Sequence, residues 1–164
     1  MTIIESNNYS VDEKVTIIKN LVQRGSEINF IDRRLNTPLV YAIQEESLIL
    51  TKLLIDYGAE VNIVNKNGHT PLEYTIQHHL TDISILMLKQ LIKKGYHFNT
   101  IDTYDSSPLI YAIQKDAFPL IQFLVENGVN VNSIYENGKS PLIYAIQKNS
   151  LPVVTLLIEN GANV

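Results

Sequence analysis

The side chains best suited to chemistry in this chain are four histidines, His69, His78, His79 and His97, all within residues 63–99. Imidazole binds metals and moves protons near neutral pH, so a cluster of histidines raises the question of a metal or acid–base site. The spacing answers it poorly. No HExxH pattern is present, and adjacent positions such as His78 and His79 point apart on a helix. His78 meets Asp82 only if one helix runs through both, and Thr81 between them reads as an N-cap. The chain has no cysteine, which excludes disulfides, thiolate zinc sites and a cysteine nucleophile. Gly138-Lys139-Ser140 has the form of the end of a phosphate-binding loop, but that pattern needs a glycine at position 133, where Ser133 stands. Pro141 follows at once, and the segment aligns with Gly68-His69-Thr70. No GxSxG or GxGxxG motif occurs. Solvated surface histidines, no metal, no cofactor and no catalytic residues are the expectation.

What these residues sit on is a repeat. Pro-Leu-Ile-Tyr-Ala-Ile-Gln-Lys occurs unchanged at 108–115 and 141–148, with PLVYAIQE at 38–45 and PLEYTIQH at 71–78. The prolines step by 33, 37 and 33 residues, and Gly58, Gly95, Gly128 and Gly161 follow in the same register. Units therefore fall at 30–62, 63–99, 100–132 and 133–164. Thr37, Thr70, Ser107 and Ser140 each place a hydroxyl N-cap before a proline at the first helical position. Thr70 with Glu73 completes a capping box. A two-turn helix is expected after each proline, then a second helix starting near Leu48, Asp82, Phe118 and Leu151. Glycine supplies the left-handed residue that ends it. Turns such as Asn65-Lys-Asn-Gly68 and Glu136-Asn-Gly138 join the units.

Residues 1–29 form a degenerate unit. Ser10 and Glu13 make a capping box for a helix over 11–24, whereas Glu5-Ser-Asn-Asn-Tyr9 favours turns over a helix interior. This unit is expected to act as a polar N-terminal cap. The unit at 63–99 is four residues longer, with the extra length between Gln77 and Gln90 at the junction of its helices. One turn is about 3.6 residues, so the spacing predicts a second helix lengthened by a turn, over Asp82–Lys93. The sequence stops in mid-motif at Gly161-Ala-Asn-Val164, from which a fragment of a longer array is expected.

Thr-Pro-Leu at a 33-residue spacing, a following alanine, Leu-Leu before glycine, and Gly-Ala-x-Val-Asn into a turn resemble the ankyrin repeat, over residues 30–164. The resemblance implies an all-α ankyrin-repeat solenoid of four full helix–turn–helix units with hairpins, preceded by the capping unit. Departures are visible. The usual histidine after Thr-Pro-Leu is Val40, Glu73, Ile110 or Ile143. The turn glycine is Leu35 in one hairpin and Asp105 in another, so those hairpins are expected to be less regular. The glycine between helices is Glu46, Asp116 or Asn149.

Two ladders run through the repeats. Tyr41, Tyr74, Tyr111 and Tyr144 are expected to pack between neighbouring first helices with their hydroxyls in water. Gln44, Gln77, Gln114 and Gln147 are expected to contact one another. Asn29, Asn62, Asn99 and Asn132 read as turn formers bonding their own backbone. Asn62, preceded by Leu54 and by Glu60-Val61, also resembles a substrate of the ankyrin-directed asparaginyl hydroxylase, as does Asn29 behind Leu21 and Glu27-Ile28.

The net charge of −4 and pI near 5.5 argue against a phosphate-backbone binder, and no apolar run is long enough to span a membrane. No basic leader is visible, which points to the cytoplasm, or to a host's cytoplasm if the array belongs to an effector. The resemblance implies a non-catalytic module that grips another protein in a concave groove of hairpin tips and first helices. The matching positions here are Arg33, Arg34, Asn36 and Glu45; Lys66, His69 and His78; Thr103, Tyr104, Ser106 and Lys115; and Glu136, Asn137, Lys139 and Lys148. Basic residues predominate in this set, which suggests an acidic partner segment; a monomer binding no nucleic acid is expected. The alternative is a regulatory segment of a larger enzyme or effector whose active domain lies beyond Val164.

Overall fold

The computed structural model describes residues 3–6, 8–64, 70–96, 107–135 and 138–164. Nine α-helices and no strand occur among them. The chain divides into two compact units, Met1–Leu72 and Glu73–Val164. The first holds α1 (Val11–Gln23), α2 (Pro38–Gln44) and α3 (Leu48–Asp56). The boundary falls within α4 (Pro71–Gln77). The second unit continues with α5 (Thr81–Lys93), α6 (Pro108–Gln114), α7 (Phe118–Glu126), α8 (Pro141–Gln147) and α9 (Leu151–Glu159).

Local chemistry explains where the helices begin. Ser10 and Glu13 form the expected capping box: the Ser10 hydroxyl accepts from the Glu13 N–H, and the Ser10 N–H donates to Glu13 Oε2 at 2.7 Å. That bonding holds the Glu13 carboxyl below its ordinary value. Thr37, Ser107 and Ser140 accept from the N–H three residues on, each ahead of a proline at the first helical position. α2, α4, α6 and α8 are all seven residues long.

Between the two helices of each pair the chain turns through a left-handed residue: Glu46 (φ 53°), His79 (59°), Asp116 (53°) and Asn149 (54°). Asparagine and aspartate tolerate this conformation; glutamate and histidine do so at a cost of about 1 kcal/mol or more. The turn persists because Ser47 and Ala117 then donate their N–H to the carbonyls of Ala42 and Ala112, closing the end of the first helix. The left-handed residues at the ends of the second helices are glycines, Gly58, Gly95, Gly128 and Gly161.

α5 has thirteen residues against nine in α3, α7 and α9, the extra turn that the four-residue insertion predicts. It starts one residue ahead of the expected Asp82 and ends at the expected Lys93. The link His78–Leu80 is as short as the others, so the four extra residues are all taken up by the helix. Thr81 is therefore the first helical residue, Leu80 takes the cap position, and no side chain caps α5. Ile83, Ser84, Met87 and Leu88 are buried, a stripe that a whole added turn leaves on one face.

Each unit is two layers deep. In the second, first helix α6 packs on α8, and second helices α5, α7 and α9 pack in sequence. In the first, α3 packs on both α2 and α1. Leu39, Ala42, Leu50 and Leu54 fill one core, and Leu109, Ala112, Leu120 and Leu124 fill the other at the same positions. Burying one such leucine contributes about 1.5–3 kcal/mol.

Asparagine side chains join successive repeats, and not in the way the sequence suggests. Asn29 Oδ1 accepts from the Glu60 N–H at 2.8 Å while its Nδ2 donates to the Gly58 carbonyl. Asn132 repeats this with Asn163 and Gly161, both at 2.8 Å. These amides clasp the end of the next second helix; their own local backbone is not the partner. In the second unit Tyr135 adds a hydroxyl contact of 2.6 Å to Ser107, the cap of α6.

The identical octapeptide of α6 and α8 separates sequence from context. Ile110 and Ile113 are 2% and 1% exposed under α8, whereas Ile143 and Ile146 of α8 are 39% and 58% exposed. Ile113→Ala should cost about 2–5 kcal/mol, and Ile146→Ala under about 1 kcal/mol; chemical denaturation of the two variants measures the difference. Thr51 provides a second check. Its hydroxyl is fully buried without a hydrogen-bond partner, while Ser84 and Ile121, at the same position of α5 and α7, are respectively bonded to Thr75 at 2.8 Å and apolar. Thr51→Val should therefore stabilise the protein by about 1 kcal/mol, read as a higher denaturation midpoint.

Candidate partner-binding surface

The turn before α2 displays the leading candidates. Its backbone is fixed from within by Asp32, whose Oδ1 accepts from the Arg34 and Asn36 N–H groups at 2.8 and 2.9 Å. The Tyr41 hydroxyl donates to the other carboxylate oxygen. Asp32 N–H donates to the Asn36 carbonyl and Leu35 N–H to the Asp32 carbonyl, both at 3.0 Å. Tyr135, Gly138 and Lys139 repeat those two bonds in the second unit. Leu35 (φ 61°) thus stands where Gly138 (φ 72°) does. The hairpin keeps its bonding pattern and carries backbone strain, contrary to the expected irregularity. Arg33 and Arg34 are exposed on this turn and line a shallow recess together with Glu5, Asp32 and Tyr41.

Donation from the Tyr41 hydroxyl is the main reason that the Asp32 carboxyl titrates below its ordinary value, with the Asn36 and Arg34 amides adding to it. The same bond raises the Tyr41 hydroxyl. Tyr41 is buried, with its hydroxyl on Asp32 and not in water as expected. The other tyrosines of the ladder are half-buried in three different settings. Tyr74 stacks on His78 at 4.1 Å, Tyr144 meets Tyr135 edge-on at 6.5 Å, and Tyr111 lies in α6.

A family model described as Ankyrin repeats (3 copies) matches residues 8–89 and 84–164. The chain belongs to the ankyrin-repeat family. A comparison with curated proteins returns no match. Ankyrin repeats are generally protein–protein interaction modules and typically non-catalytic. Among the described residues no helix is long and apolar enough to cross a membrane.

Within the ankyrin framework the remaining candidates separate. Asn36 is half-buried, and its backbone and side chain serve the Asp32–Tyr41 turn. Glu45 pairs instead with Lys14, at 3.8 Å, which withdraws it from the freely displayed set. Lys14 is itself a functional-looking residue that sequence reasoning missed: it is 5% exposed, and its ammonium donates to the Ile4 carbonyl at 2.6 Å. The signal was present, since Lys14, Ile18 and Leu21 share one helical face. Lys139 reaches Gln147 Oε1 at 3.1 Å and lies 5.6 Å from the Tyr144 ring centroid, so Gln147 bonds a lysine. Lys115 and Lys148 cap the C-termini of α6 and α8. Lys148 faces Asp116, Phe118 and Pro152 across the inter-helix turns. Asn62 is exposed in the loop after α3. Lys66, His69, Thr103, Tyr104, Ser106, Glu136 and Asn137, together with His97, Asn99 and Asp105, lie outside the described residues.

The depressed Asp32 value gives a definite pH sign. Its folded-state contribution is present above the unfolded carboxylate pKa of about 3.9 and is lost as pH falls through the lower folded value. Asp32→Asn should lower stability at neutral pH and flatten the acid limb of a thermal-denaturation series below about pH 4. Leu35→Gly should raise stability by up to about 1 kcal/mol, because relief of left-handed strain exceeds the added chain entropy of glycine.

Proposed function

We propose that this ankyrin array is a non-catalytic interaction module that holds a partner protein through hairpin-tip and first-helix residues. The observation that carries the reading is the turn at 32–36. Two adjacent arginines stand in solvent on a backbone held by three hydrogen bonds to one carboxylate. Ordering a flexible loop on binding costs affinity, so a turn already fixed can present charge with less loss. Arginine is also among the residue types that most often dominate interface energetics. With Lys115, Lys139 and Lys148 on the first-helix side, the partner segment is acidic.

Lys66, His69, His78, Thr103, Tyr104, Ser106, Glu136 and Asn137 complete the proposed contact set, Asn36 and Glu45 acting chiefly as supports. The array works as a monomer in the cytoplasm, its own or a host's, and binds neither nucleic acid nor membrane. Asn62 and Asn29 are proposed acceptors for an ankyrin-directed asparaginyl hydroxylase; coexpression should add the mass of one oxygen atom to the Asn62 peptide, and an unmodified peptide removes that part.

The test of the main reading is differential capture. Proteins retained by the wild type at low salt should be lost with Arg33→Glu/Arg34→Glu, and kept by the control Lys19→Glu/Lys52→Glu on second helices α1 and α3. Retention by all three proteins alike would assign binding to another surface.

A further inference from the structure

One wall of the Arg33–Arg34 recess comes from far upstream in the chain. Glu5 lines it beside Asp32 and Tyr41. Beyond the Asp32 bond, the Glu5 charge adds to what raises the Tyr41 hydroxyl. Glu5 is half-buried between two buried neighbours, Ile4 and Ser6, which are 4% and 6% exposed. The turn that carries it is closed by the Ser6 N–H on the Ile3 carbonyl at 3.3 Å, and the Ser6 hydroxyl accepts from the Asn8 N–H.

Lys14 ties this turn to α1. Its ammonium donates to the Ile4 carbonyl at 2.6 Å, and Glu45 Oε2 lies 3.8 Å from the same nitrogen. Lys14 is 5% exposed, and a buried ammonium is costly unless hydrogen bonds and an opposite charge compensate it. An apolar side chain would fill the space at lower cost, but only a donor can bond the Ile4 carbonyl. At the same distance before the helix-ending glycines of the other repeats stand Ser47, Ser84, Ala117 and Ser150. A lysine occurs there only in α1, beside the turn that carries Glu5.

Glu5 changes what the recess accepts. An acidic side chain that pairs with Arg33 or Arg34 there also comes close to the Glu5 carboxylate, and like charges brought together cost affinity. A basic group beside that acid removes the penalty and adds an attraction. We propose that Glu5 is the specificity residue of this recess, positioned by Lys14 and Glu45. It selects a partner segment with an acidic and a basic side chain next to each other over a uniformly acidic one. The inference rests on the reading that the Arg33–Arg34 turn binds the partner, and adds that the acidic segment carries a base beside its acid.

NMR titration of the full chain at low salt tests this with two acetylated and amidated probe peptides, GGDKGG and GGDDGG. Binding is read at the amides of residue 5 and residues 32–36. The mixed peptide should bind about threefold tighter than the acidic one, the size of an exposed charge pair. Glu5→Gln should remove that preference by strengthening the acidic peptide, and Lys14→Met should narrow it with Glu5 in place. If Lys14→Met loses its helical circular dichroism, Glu45→Gln replaces it, with the same direction expected. The preference decides, because a general loosening of the unit weakens both peptides alike. Equal binding of the two peptides, or a preference that survives Glu5→Gln, would overturn the specificity and leave the Arg33–Arg34 turn a binding site. A preference that survives Lys14→Met and Glu45→Gln alike would overturn the positioning. If neither peptide shifts the turn up to millimolar concentration, or Arg33→Glu/Arg34→Glu binds both as the wild type does, this inference and the reading beneath it fall together.

Discussion

No helix pair in this protein can cover its own apolar face, and its order follows from that constraint. A seven-residue helix is too short to persist in water on propensity alone. It becomes stable where a second helix backs it and another first helix lies alongside, as α7 and α8 do for α6. Residue burial is thus a property of the neighbour as much as of the side chain. The two copies of Pro-Leu-Ile-Tyr-Ala-Ile-Gln-Lys show it directly: isoleucines of the same local conformation are sealed in one helix and open in the other.

Cooperation between neighbours also explains how the chain carries local faults. Glu46 and His79 adopt a left-handed conformation that glycine would take more readily, and Leu35 does the same in a hairpin. Each is held by bonds on both sides that would be lost if it relaxed. Leu35 and Glu46 sit inside turns closed by Asp32–Asn36 and by Ser47–Ala42 hydrogen bonds. The buried Thr75–Ser84 hydroxyl pair is a balanced exchange of the same kind, since each group satisfies the other in a place where α6 and α7 have alanine and isoleucine. Thr51 has no such partner, so its hydroxyl remains a net cost.

What could be read from the sequence was whatever is settled within a few residues. The Ser10–Glu13 box, the hydroxyl-proline starts at Thr37, Ser107 and Ser140 and the lengthened α5 depend on spacings of one to four residues, and each is found. The start of α5 was misread because Thr81 is a good cap by type; the fixed three-residue link gives the cap position to Leu80. Contacts that span a repeat were misread too. Asn29 and Asn132 have the composition of turn formers, yet their partners lie about thirty residues on. Tyr41 found Asp32 across a turn, and Glu45 found Lys14 on another helix. The Asn29, Asn132 and Glu45 partners come from a neighbouring unit, which one repeat considered alone does not contain, whereas the Tyr41–Asp32 bond closes within its own unit.

The same distinction bears on which charges the protein can offer to another molecule. A net charge of −4 suggests an acidic surface, but the count treats every carboxylate as displayed. Asp32 is committed to two backbone amides and a phenol, and Glu45 lies against a buried ammonium. Arg33 and Arg34 stand exposed on this turn, Arg34 adding an electrostatic pull on Asp32; the bonds that fix the turn run through backbone amides and the Asp32 carboxylate. Internal bonding therefore fixes where the Asp32 carboxylate lies, while the two arginine side chains stand exposed on the same turn. The charges of this turn lie within one recess, two carboxylates and two guanidiniums, and at physiological salt such near neighbours act on one another most, because charges more than about 8 Å away are largely screened.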